Sequence, residues 1–309
     1  MSYVAQPLSI EDKNYSYFIT TRTANSRLWL IKNKELEEQL LAILARYQQL
    51  YSVILYAFIL MGNHYHLIAK FPEGNRAAFM RDFNSAAARL IGRQVNVHGR
   101  RSVWARRYSH QVLLRPEDLT HWFYYAALNP VSSGIVKENK EYPSFNSFYD
   151  AASGIQRVCK WIDWSAYILK KRYSESVKPQ DFIKEYTLTF SKLPEFEELA
   201  NEDYKTALME KLAEREKSAV DERIKQGRGF LGKDKIKLQE IGATPRFSKI
   251  STRRSFRPLI LTLCKETKRY YLSIYFSIRE WFLKASKAFR EGELSVEFPP
   301  GTYSPSRYT

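Results

Sequence analysis

A chain of 309 residues with 44% hydrophobic and 15% aromatic side chains can bury a substantial core, which excludes a disordered polymer. No stretch reaches the roughly eighteen apolar residues of a membrane span, the opening MSYVAQPLSIEDKNYSYF has no apolar signal core, and Cys159 and Cys264 lack zinc-type spacing, so a reducing, bacterial-type cytoplasm, in contact with the nucleoid, is expected. The formal net charge of +16 points to a polyanionic partner, nucleic acid before membrane.

In chain order, YSYFITTR (15–22) alternates with β-favouring residues and predicts a strand. NKELEEQLLAILARYQQL (33–50) carries apolar residues at helical spacing behind Asn33, a good N-cap type. The apolar run SVILYAFIL (52–60) suits a central strand, Met-Gly-Asn at 61–63 is turn chemistry, and HYHLIAKF (64–71) returns as its hairpin partner. A second helix is expected over 76–94, a fourth strand over 106–114, and a helix over 116–128 that Pro130 stops. The order βαββαβ plus a helix is that of a split βαβ, ferredoxin-like or RRM-like α+β fold, an antiparallel sheet with helices on one face. Beyond about residue 150 the texture turns to Lys, Glu and aromatics, with helices expected near 201–226 and 259–292. The chain is therefore expected to divide into a domain over 1–150 and a basic, aromatic-rich, mostly helical region over 151–309, which could bind DNA or serve an accessory role.

Within 64–71, side chains alternate between the sheet's two faces, so His64 and His66 point the same way. Two readings of the pair stand: the beginning of a divalent-metal site, or two partly exposed sheet-face histidines. In FYYAALNP, Tyr125 and Asn129 are four apart and share a helix face, with Tyr124 as the competing tyrosine. If that helix packs on the histidine face, two imidazoles, an amide oxygen and a phenol meet. A metal there could polarise a phosphate and favour the phenolate that attacks it. The alternative is an ordinary aromatic helix.

Between Arg76 and Arg115 there are nine arginines, one acid (Asp82) and no lysine. Guanidinium forks grip phosphate in two places, so this segment suits a phosphate backbone. Arg76, Arg100, Arg101, Arg106 and Arg107 are the expected contacts, Trp104 is the candidate base-stacking ring, and Arg253 and Arg254 form a second basic patch. His98, His110 and His121 suggest no catalytic role.

The MGNHYHL hairpin and the YYAALNPVSSGIV helix end resemble the IS200-like, single-tyrosine transposases, within them most of all the REP-associated tyrosine transposases. YFITTR, VWARRYSHQVL, YPSFNSFYD and the C-terminal ASKAFREGELSVEFPPGTY agree with that resemblance, which covers 15–150 well and the rest loosely. It implies an HUH-class endonuclease and strand transferase over 1–150, acting on single-stranded DNA hairpins of REP type through a 5′-phosphotyrosine. By the same resemblance Tyr125 is the nucleophile and His64, His66 and Asn129 hold Mg²⁺ or Mn²⁺. It favours a monomer slightly. Phe18 stands where many members have histidine, and NPVSSG replaces the commoner Asn-Pro-Val-Arg-Ala-Gly. The competing functional reading is a nucleic-acid-binding protein on the same fold without catalysis.

Overall fold

The computed structural model describes residues 7–95, 102–245 and 257–305. Arg100, Arg101, Arg253, Arg254 and His98 lie outside the described residues.

The first strand, β1 (Ser16–Arg22), leads through an extended loop to α1 (Lys34–Leu50). Asn33 caps α1 as its residue type predicts, its side chain accepting from the Leu36 amide at 2.9 Å, and Leu36, Leu40, Ile43, Leu44 and Tyr47 form the helix's buried stripe. The hairpin follows as β2 (Ile54–Leu60) and β3 (His64–Lys70), then α2 (Arg76–Gln94) with Phe79, Met80, Phe83, Ala87, Leu90 and Ile91 at helical spacing on its inner side. The fourth strand, β4 (Ser109–Leu113), and α3 (Pro116–Ala127) complete the pattern expected from the sequence.

Sheet order is β2-β3-β1-β4, antiparallel throughout, with β1 central to the pairing of Thr20 with His66 and Arg22 with His64. Two helices, α1 and α2, bury one face: Phe58 and Tyr65 meet Phe83 there. The opposite face carries Phe18 and His66, and α3 crosses it through Trp122 and Tyr125. So α1 and α2 share a face as the split βαβ pattern requires, and the tyrosine helix takes the other.

After α3 the chain enters the short α4 (Asn129–Ser132), where Pro130 cannot donate a helical hydrogen bond and Leu128 relaxes to φ −87°, ψ 5°. Asn146 ties this junction back to the sheet, its Nδ2 donating to the Ala127 carbonyl at 2.8 Å while its backbone bridges Ile59. Next come α5 (Phe148–Ser153), β5 (Arg157–Ile162), α6 (Trp164–Lys171), β6 (Ile183–Leu188), α7 (Asn201–Lys225) and α8 (Lys233–Leu238). A two-residue strand, β7 (Ile260–Leu261), and α9 (Lys265–Arg290) end the described order.

The long helices α7 and α9 match their expected positions, but three strands in this region were not foreseen. An antiparallel ribbon of β5 and β6 packs on α1, and β7 adds a parallel edge to β4 through Val112–Ile260 and Leu113–Leu261. These strands are short, β7 has only two residues, and β5 and β6 mix charged with apolar side chains, so their partners rather than their periodicity define them. The other contacts are equally long-range: α7 packs on α4 and α5, and Tyr275 of α9 accepts from the Leu8 amide at 2.8 Å. Among the described residues no helix is long and apolar enough to cross a membrane.

Candidate active site

Strand pairing brings the site's imidazoles together. In β3 the side chains of His64 and His66 project to one face, and their Nε2 atoms lie 3.2 Å apart. Each Nδ1 has its own partner: Asn63 Oδ1 for His64 at 2.7 Å, and Thr20 Oγ1 for His66 at 2.9 Å. Asn63's amide orientation follows from its Nδ2 donating to the Ser26 carbonyl at 3.1 Å, so an oxygen faces His64. An acceptor at Nδ1 requires the proton there and leaves Nε2 with its lone pair; Thr20, acting as acceptor, does the same for His66.

Two bare nitrogens at 3.2 Å repel unless a proton or a cation lies between them. A proton is disfavoured. Burial, then the neighbouring imidazole and the Arg22 guanidinium, holds His64 well below the usual histidine range, and burial with Arg22 brings His66 to about 3. Nitrogens about 2.1 Å from a common cation sit roughly 3 Å apart at a right angle, so the pair fits a divalent ion.

The third side chain at this site comes from α4. Asn129 is buried, with Nδ2 3.3 Å from His66 Nε2 and Oδ1 accepting from Ser133 Oγ at 3.3 Å. A half-turn of the amide exchanges the two atoms and directs the oxygen to the imidazoles. No group of three or more His, Cys, Asp or Glu side chains gathers among the described residues; the polar side chains brought together here are two imidazoles and an amide.

The adjacent tyrosines of α3 part company. Tyr124 is fully buried on the α7 side, with Arg215 4.7 Å over its ring and its hydroxyl donating to the Leu208 carbonyl at 3.4 Å, and burial pushes its phenol up. Tyr125 is 46% exposed and faces the histidine side, 6.0 Å from the Phe18 ring, which itself lies 5.1 Å from His66. Phe18 thus packs against both the phenol and the His66 imidazole.

The DNA-contact expectations fare unequally. Arg76 is overturned: it is 0% exposed, pairs with Glu11 at 2.9 Å, donates to Ser9 Oγ and the Ile10 carbonyl, and lies 4.5 Å over Tyr17. A cation so enclosed cannot reach a phosphate; it holds the N-terminal segment on the sheet. Arg106 and Arg107 are exposed on the bend that precedes β4. Trp104 is half-buried, its Nε1 donating to the Asn84 carbonyl at 2.9 Å and its ring edge-on to Tyr65, so only part of the indole is free to stack.

Sequence reading missed Thr20, Arg22 and Asn63. Thr20 and Arg22 follow Phe18 at period two on β1, a signal for a shared face, but their partners depend on the register with β3.

The family described as "Transposase IS200 like" matches residues 13–113, which include both histidines but stop short of Tyr125 and Asn129. A REP-associated tyrosine transposase of Escherichia coli (strain K12) is 27% identical over 110 residues, 35% of this chain and 61% of that protein. The chain thus matches less than two thirds of this relative's length. Among solved structures, a REP-associated tyrosine transposase bound to a REP hairpin is similar at 20% identity and TM-score 0.38, over 48% of this chain and 84% of that one. Residues 13–113, the sheet segment that carries the paired imidazoles, are thus the part of the chain that is similar to the IS200-like transposases.

Proposed function

We propose that the chain is a divalent-metal-dependent endonuclease and strand transferase acting on single-stranded DNA hairpins. The observation that carries this reading is the pair of Nε2 atoms 3.2 Å apart with Asn129 beside them and an exposed Tyr125 one helical turn before it. Mg²⁺ or Mn²⁺ held by His64, His66 and Asn129 would polarise the scissile phosphate and favour the phenolate.

The protein's own groups do the rest. Asn63 and Thr20 fix the imidazole tautomers, and Phe18 sets the approach of the phenol. Tyr125 Oη bonds to phosphorus and the P–O3′ bond breaks, giving a 5′-phosphotyrosine and a strand ending in a 3′-hydroxyl. Attack by a 3′-hydroxyl reverses the step and releases Tyr125. The cationic surface at Arg106 and Arg107 favours the approach of a polyanion. The hairpin substrate is suggested by the REP-bound relative and by the charge of +16. We infer a monomer active in the cytoplasm, with residues 1–150 as the catalytic domain and 151–309 as an accessory region.

The test is incubation with 3′-labelled single-stranded hairpins from the gene's flanks, with Mn²⁺ or with EDTA. A covalent protein–DNA species that needs the metal and vanishes in Tyr125→Phe is expected. Salt-sensitive binding with no covalent species would replace this reading with a non-catalytic DNA-binding protein.

A further inference from the structure

Arg22 ends β1, and strand pairing sets it directly opposite His64, as Thr20 is opposite His66. Residues facing each other across neighbouring strands share a face of the sheet, with Cβ atoms about 5 Å apart. Phe18 and Thr20, which precede Arg22 at period two, both touch His66. Arg22 therefore stands on the imidazole side of the sheet, and its positive charge acts on both His64 and His66.

This cation is poorly accommodated by the fold. Arg22 is half-buried, and among the described residues its side chain makes no hydrogen bond, ion pair or ring contact. Other arginines drawn out of solvent have carboxylate partners: Arg76 has Glu11 at 2.9 Å, and Arg115 has Asp118 at 3.2 Å. Beside Arg22 stand the cation Arg106 and two imidazoles that burial keeps neutral. Burial, then Arg106, holds the guanidinium below the usual arginine range. A partly desolvated charge with no counter-ion costs free energy and returns none to folding. A divalent ion on the imidazoles would add to that cost, and an incoming anion would relieve both.

We propose that Arg22 grips a non-bridging oxygen of the phosphodiester that Tyr125 attacks, and that its uncompensated charge makes metal and DNA strand bind cooperatively. This deepens the reading of the chain as a strand transferase and rests on it. As Tyr125 Oη bonds to phosphorus and the P–O3′ bond breaks, the N–H donors of Arg22 stabilise the charge on the non-bridging oxygens. The guanidinium keeps its protons throughout, because an arginine does not deprotonate in a protein. The tyrosine proton leaves to solvent, and the departing O3′ takes one from solvent.

The coupling has a definite sign. In the free protein Arg22 repels a cation held by His64 and His66 and so weakens metal binding. A bound phosphate attracts both cations and reverses the effect. A residue that merely supported the fold would do neither.

Calorimetry with Mn²⁺ and single-turnover adduct formation, both on the full chain, test this together. Without DNA, Arg22→Gln should bind Mn²⁺ about three- to tenfold more tightly than the parent. The same variant should form the covalent adduct with a labelled hairpin about 10²-fold more slowly. Arg22→Lys keeps the charge but loses the fork, so it should match the parent in Mn²⁺ affinity and recover part of the rate. Thymidylyl-thymidine, which carries one phosphodiester, should tighten Mn²⁺ binding by a larger factor in the parent than in Arg22→Gln. Mn²⁺ affinity in Arg22→Gln equal to or below the parent's, or an unchanged adduct rate, would overturn the proposal. The expected Mn²⁺ and dinucleotide shifts in a parent that forms no adduct support the phosphate contact of Arg22 and remove the strand-transfer reading.

Discussion

The two faces of β3 behave oppositely. On the α2 side, Tyr65 is wholly buried and fully paired, donating to Asn84 Oδ1 at 2.6 Å and accepting from Thr21 Oγ1 at 2.8 Å. On the α3 side, His64 and His66 aim two lone pairs at one point. The helix α3 repeats the contrast with Tyr124 buried and Tyr125 open. On one face the polar groups are paired among themselves, and on the other two imidazole nitrogens face each other at 3.2 Å. Satisfied polar groups rigidify a scaffold; unsatisfied ones, held rigid by that scaffold, are available for chemistry.

The sharpest way to break this contrast is to exchange the tyrosines' fates. Tyr125→Phe should lower covalent DNA adduct formation by roughly 10³-fold or more, whereas Tyr124→Phe should leave it within about threefold, read by single-turnover gel assay. Equal losses would end the division of roles.

Next in size is the scaffold's own buried charge. Arg76→Ala strands Glu11 in the interior and should cost about 3–5 kcal/mol in urea unfolding, while Arg107→Ala costs almost nothing there but lowers DNA affinity and the salt slope. Equal stability in the two variants would refute the burial-based sorting of these arginines.

Removing the groups that set the imidazole tautomers gives a middling effect. Asn63→Ala and Thr20→Val should weaken Mn²⁺ binding by about 10- to 100-fold, against near-complete loss in His64→Ala, by calorimetry. Unchanged affinity would detach these residues from the site.

The smallest effect is on pH. Burial, then Arg76 and Arg107, brings His110 from an ordinary 6.5 to about 3, with the rings of Tyr17 and Tyr108 also facing it. The folded form therefore stays neutral where the unfolded chain takes up a proton, so stability present above pH 6.5 is lost as pH falls towards 3. His110→Gln should show a shallower decline in unfolding free energy between pH 7 and pH 4.5. An identical decline would mean that His110 does not contribute.

Much of this was legible in the sequence because it depends on local periodicity. Period two sends His64 and His66 to one face, and Asn33 marks a helix start. Arg76 was misjudged because nothing near it in the chain reveals Glu11, 65 residues away, or Tyr17. Both β7 and the β5–β6 ribbon were equally invisible, since an edge strand of two residues or a short pair of mixed charged and apolar residues acquires its identity only from the strand beside it.

By itself, then, the sequence determined the order of the elements, the alternation that separates chemistry from packing, and the cationic character of the chain. Tertiary structure decided which tyrosine is open, which arginines reach solvent, and which residues hold the imidazole tautomers. The reason is physical: backbone geometry repeats over two or four residues and can be read along the chain, whereas burial and proton placement are set by partners that only strand register and helix docking bring near.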